Sequence, residues 1–96
     1  MFVRIHRNER DTILAACDEG LVGRTFKEGN KRLDVSEIFY KGQAVDRDAL
    51  VAMMKDASIM NLVGEEVISV AVEEGYVSED SIIVVDGVRH AQVVLL

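Results

Sequence analysis

The period of the hydrophobic positions changes repeatedly along the chain, and each change predicts an element. Phe2–Arg7 alternates, with Val3 and Ile5 on one side and Phe2, Arg4 and His6 on the other. A period of two is that of a strand with one wetter face. After polar Asn8–Asp11 comes a continuous apolar run, Thr12–Cys17 (TILAAC), which fits a strand covered on both faces. The two read as a hairpin. Asp18 is placed to cap a single turn over Glu19–Val22, with Gly23 ending it. Phe26 reads as an anchor under the following loop, and Glu28-Gly29-Asn30 as a turn. Lys31–Tyr40 alternates weakly through Leu33, Val35, Ile38 and Tyr40, which predicts one or two short strands ending at Gly42.

The period then lengthens. Val45–Ala57 predicts a helix capped by Asp46, with Val45 and Leu50 at hydrophobic-staple spacing and Leu50, Met53, Met54 and Ala57 as its core stripe. Ser58–Met60 is a joint, a tight bend or a short buried strand. Asn61–Gly75 predicts the central helix. At about 100° per residue, Val63, Val67, Ile68, Val70, Ala71 and Val72 share one arc, and Glu65, Glu66, Ser69 and Glu73 the other. Asn61 is its expected cap and Gly75 its left-handed terminator. Ile82–Val85 and Val88–Leu96 flank Asp86-Gly87, a two-residue hairpin signal. The order predicts one α+β domain over residues 1–96, a mostly antiparallel sheet with two helices packed on one face.

Composition narrows the classes. Of 96 residues, 49% are apolar, which suits one globular domain. The charged start MFVRIHRNER is unlike a signal peptide, and no apolar run has the length of a membrane span, so a cytoplasmic protein with no membrane partner is expected. One cysteine and two distant histidines match no structural zinc pattern, and no cofactor motif is present. The net charge is −6. Up to Lys41 there are eight Lys/Arg against seven Asp/Glu, and from Gly42 onward three against ten. Direct RNA binding is therefore disfavoured, since affinity for nucleic acid comes largely from neutralised phosphates. If it occurs, it falls to the first half, with Arg4 and Arg32 sharing a face and Tyr40, beside Phe39, suited to stacking.

Candidate chemistry is sparse. His90 and Gln92 share one face of the last strand, and two polar groups there need partners if covered. Asn61 and Glu65, four residues apart, would share a helix face. Together these four side chains could line a polar cleft for a small ligand, with His90 as donor or general base. The free amides opening the central helix could hold an anion, although Glu65 and Glu66 compete with one there. Cys17, in an apolar run without a sequence-evident histidine partner, reads as a small core residue.

The segments AACDEGLVGRTF, IFYKG, NLVGE and GVRHAQVV, in that order, resemble an archaeal family of small proteins, the Domain of Unknown Function family 424. In that family the residue before the histidine is often proline; here it is Arg89. The resemblance implies an archaeal, cytoplasmic, single-domain protein and supplies no catalytic residues. The leading expectation is a non-enzymatic binding module with a protein or ribonucleoprotein partner. The alternatives are a small-molecule binder or enzyme at Asn61, Glu65, His90 and Gln92, and an RNA binder at Arg4, Arg32 and Tyr40.

Overall fold

A computed structural model describes residues 1–95. The first hairpin is as its pattern predicts. β1 (Phe2–Arg7) pairs antiparallel with β2 (Thr12–Cys17), from Phe2 opposite Cys17 to Arg7 opposite Thr12. The Asn8 side chain shapes the turn, its Oδ1 accepting the amides of Arg10 and Asp11 at 2.9 and 2.8 Å. A 3₁₀ turn at Glu19–Leu21 follows, and Gly23 takes φ +82° behind it.

The next segment departs from expectation twice. Phe26 does not sit in a loop but on a strand: β3 (Thr25–Glu28) pairs with β4 (Lys31–Asp34) around Gly29-Asn30, and Phe26 lies opposite Leu33, both buried. The weak alternation beyond β4 is not a strand. Ser36 accepts the Phe39 amide at 3.1 Å and starts a one-turn helix, α1 (Glu37–Tyr40). A hydroxyl cap three residues before a free amide outweighs a loose period of two. β5 (Gln43–Ala44) then pairs with Phe2 and Val3.

α2 (Arg47–Asp56) starts at Asp46 as its signals predict, with Asp46 Oδ1 accepting the Ala49 amide at 2.9 Å. The larger correction follows it. Asn61–Val63 belong to a strand, β6 (Ile59–Val63), and the central helix, α3, runs only from Glu65 to Glu73. Asn61 is therefore not a helix cap. Burial explains the shift, because Met60, Leu62 and Val63 are fully buried and β6 lies between two strands. Ser58 ties its start to β2: its hydroxyl accepts the Thr12 amide at 3.0 Å and donates to Asp11 Oδ1 at 2.9 Å, and its amide donates to the Thr12 carbonyl.

A second 3₁₀ turn, Glu79–Ser81, leads into β7 (Ile83–Val85) and β8 (Val88–Val94). Asp86 at φ +49° and Gly87 at +78° make the two-residue turn that the dipeptide predicts. The six-stranded sheet runs β5-β1-β2-β6-β8-β7, antiparallel throughout except where β6 lies parallel to β2. No helix is long and apolar enough to cross a membrane among the described residues.

The two sheet faces are covered differently. On one, Val3, Leu14, Ala16, Met60, Leu62, Ala91 and Val93 pack against Leu50 and Met54 of α2 and Val67, Ile68 and Ala71 of α3. This is the α+β arrangement with two helices on one face. The other face is covered only in part. The β3–β4 hairpin and α1 lay Phe26, Leu33, Val35 and Tyr40 over Ala15, Cys17, Val63 and Val85. Val70, on the covered side of α3, is 6% exposed, while Glu66 points to solvent. Val70→Ala is expected to cost about 1–2 kcal/mol, and Glu66→Ala no more than about 0.5 kcal/mol. Denaturant melts compare them, and equal midpoints would contradict the face assignment.

Candidate functional site

The segments from Cys17, Asn61 and Gly87 come together where β2 ends, β6 passes into α3 and β8 begins. Asp18 is the hub. Its amide donates to the Val63 carbonyl at 3.1 Å, and its carboxylate accepts the amides of Glu66 and Val67, each at 3.0 Å. Asp18 thus caps α3 from a distant strand and makes no side-chain cap to its own 3₁₀ turn, contrary to the local reading. Gly64, at φ +110° and ψ 157°, permits this approach: a Cβ there would stand 2.7 Å from Asp18 Oδ1. The helix amides therefore already hold a carboxylate, and an external anion has no place on them.

Beside this cap lies a hollow of about 170 Å³ lined by Asp18, Leu21, Gly64, Glu65, Gly87, Val88 and Arg89. Arg89 spans it, bonded to Glu79 and standing 3.6 Å from Glu65 Oε1. Its charge is matched by acids of this chain, so the hollow carries no free cationic group for a substrate. A hollow of about 350 Å³ at Gly23, Arg24, Asp34 and Glu37 contains none of the candidate ligand- or nucleic-acid-binding residues.

The four residues expected to line one cleft divide into two groups. Asn61 lies opposite Gln92 on β6 and β8, and Gln92 Nε2 donates to Asn61 Oδ1 at 2.8 Å. His90 lies opposite Val63 on the same face, with Nδ1 3.0 Å from the Leu62 carbonyl. A carbonyl only accepts, so Nδ1 carries the proton and Nε2 is the acceptor of the neutral ring. Glu65 is with Arg89, and Arg89 and His90, being consecutive on a strand, face opposite ways. Asn61, His90 and Gln92 thus form a polar row on the partly covered face, and Glu65 belongs to the hollow at the start of α3.

The basic set does not assemble. Tyr40 is 4% exposed, and burial pushes its hydroxyl up to about 12, so it offers no ring to a base. Phe39 is stacked on His6 at 4.6 Å. Arg32 is bonded to Asp34 at 3.0 Å, and β4 is not a neighbour of β1 in the six-stranded sheet, so Arg32 does not share a sheet face with Arg4. No group of three or more His, Cys, Asp or Glu suited to a metal occurs among the described residues.

Cys17 is fully buried, and that burial, reinforced by Asp18, pushes its thiol up to about 11. At pH 8 the folded thiol is expected to react with an aromatic disulfide about a hundredfold or more slower than the unfolded chain. A fast native reaction would contradict its burial. Cys17 and Tyr40 both hold their protons more tightly when folded. Their contribution to stability is therefore complete below pH 9 and lost progressively towards pH 12, and a urea midpoint falling across that window checks the sign.

What sequence reasoning missed is apolar. Ile83 is 51% and Val94 65% exposed. Both lie on the face of the polar row, since Ile83 is opposite His90 and Val94 two residues beyond Gln92. A signal in the sequence is the unequal length of the runs beside Asp86-Gly87, Ile82–Val85 against Val88–Leu96.

The fold and this junction define a small α+β sheet protein whose central helix is capped by Asp18, from the end of β2. The chain belongs to the family described as "Protein of unknown function (DUF424)", whose model matches residues 6–96. It is similar to the crystal structure of an uncharacterized conserved protein from Methanopyrus kandleri, an archaeon, at 31% identity and a TM-score of 0.77. That likeness covers 99% of this chain and 92% of the other. No curated protein matches.

Proposed function

We propose that the protein is a non-enzymatic, cytoplasmic binding module, and that a protein partner, free or within a ribonucleoprotein, docks on the open part of the second sheet face. The observation that carries this reading is the row of Asn61, Gln92 and His90 flanked by exposed Ile83 and Val94, which the β3–β4 hairpin leaves uncovered. A polar row whose groups already have hydrogen-bond partners, with exposed apolar side chains at either end, is suited to contact without chemistry. The reading is further supported by the neutralised Arg89, by the buried Cys17 and by the lack of a paired acid and base around His90 among the described residues.

The test is affinity capture from a native lysate by the wild-type chain and by Ile83→Lys, with mass spectrometry of protein and RNA. Ile83 is half exposed on a short edge strand, so the variant is expected to keep its melting midpoint. A protein retained by the wild type and lost from Ile83→Lys is the expected result. Equal retention by both, or capture of RNA alone, would overturn the reading.

A further inference from the structure

The partner's chemistry can be argued from the edge of β8. Gly64 donates its amide to the Arg89 carbonyl, and Leu95 donates to the Ser58 carbonyl, so the backbones of Arg89 and Leu95 face β6. Backbone groups alternate sides along an antiparallel strand. Ala91 and Val93 therefore also face β6, while Val88, His90, Gln92 and Val94 face the other way. Val88 and His90 are met there by Val85 and Ile83. Gln92 and Val94 meet no strand, because the chain before Ile83 has turned into the 3₁₀ segment. There the Ser81 and Ile82 amides are held by the Ser78 and Glu79 carbonyls, at 3.0 and 3.3 Å.

The edges at β7 and β1 are guarded. On β7, Lys31 Nζ donates to the Val84 carbonyl at 3.1 Å, and Glu28 accepts the Asp86 amide at 2.7 Å, so the β3–β4 turn closes that side. β1 extends past its short partner β5, but Arg4 and Arg7 flank its free stretch at Ile5 there. Charges on an edge strand oppose pairing. The free stretch of β8 carries an amide and a valine, and Val94 and Ile83 put exposed apolar side chains beside it.

Charge selects what pairs there. The residues from Asn61 onward hold seven acids and the single base Arg89, which is the whole net charge of −6; those before it hold ten of each sign. Asp80 lies in the 3₁₀ turn that leads into β7 at the start of this gap, beside Glu79, which is bonded to Arg89. Two copies meeting through this edge would bring like charges together. We infer that β8 accepts, as an added strand at Gln92 and Val94, an extended basic segment of a partner protein, with apolar residues alternating against Ile83 and Val94. Strand addition takes its affinity from main-chain hydrogen bonds and its selectivity from alternate side chains, and here lysine or arginine would face the acidic end. This inference rests on the binding-module reading.

The experiment follows the backbone amides of the full chain by NMR. The probes are two capped hexapeptides, one alternating lysine and valine, the other glutamate and valine. The lysine peptide is expected to shift the Gln92 and Val94 amides and slow their exchange, and to bind roughly tenfold more tightly than the glutamate peptide at low salt. Val94→Lys, at an exposed edge position, is expected to abolish the effect with the melting midpoint unchanged. Equal response to both peptides, shifts centred elsewhere, or no shift at millimolar peptide would overturn the inference. Concentration-dependent self-association through these amides would overturn it too, since a second copy would then be the occupant. Partner capture that is lost with Ile83→Lys, but without a preference for the lysine peptide, removes strand addition and leaves the sheet-face reading standing. Capture indifferent to Ile83→Lys removes both.

Discussion

Gly64→Ala is expected to destabilise the protein by about 3 kcal/mol or more. One contribution is conformational: at φ +110° and ψ 157° the backbone lies in a region open essentially to glycine, and a side chain there costs about 1–3 kcal/mol. The other is steric, because the new Cβ would overlap the Asp18 carboxylate that holds the Glu66 and Val67 amides. Either Asp18 moves and uncaps α3, or the start of α3 lifts from β2. Asp18→Ala alone loses a charged cap, at about 1–2 kcal/mol. The double variant should be less destabilised than the two single effects added, since removing the carboxylate also removes the overlap. Urea unfolding of the four proteins measures this, and strict additivity would contradict the shared site.

Leu62→Ala is expected to cost about 2–5 kcal/mol, because Leu62 is fully buried between the sheet and the two long helices and its neighbours are held by strand pairing on both sides. Asn61→Ala, one residue away, should cost no more than about 1 kcal/mol, since it leaves only an exposed Gln92 amide for water to satisfy. The contrast between consecutive residues follows from a strand with one covered face. Similar losses for both would argue that this segment is not the strand described.

The last hairpin, the first hairpin and α2 were legible because their determinants are local. Asp86-Gly87 requires two positive φ values and has them, and Asp46 finds the amide three residues ahead. Ser36 offered the same local signal for α1, but the looser alternation from Lys31 masked it. The start of α3 was not legible in the same way. Asn61 is a good cap by type, and Leu62-Val63 fits either period. What decides is a carboxylate 48 residues before Glu66, together with burial between β2 and β8. The polar row was half legible. His90 and Gln92 share a face by alternation alone, but their grouping with Asn61 depends on the β6–β8 register, and the same alternation turns Arg89, and with it Glu65, to the other side. The exposure of Ile83 and Val94 was not legible, because no local pattern tells how far a covering hairpin extends.

The unpaired stretch of β8 is tested most directly by native-state amide exchange of the free protein. Ala91 and Val93, whose amides face β6, should exchange slowly, while Gln92 and Val94 on the same strand should exchange close to the rate of an exposed chain. That residue-by-residue alternation is the predicted result. Uniform protection from Ala91 to Val94 would show the edge already covered and would contradict the proposed docking site.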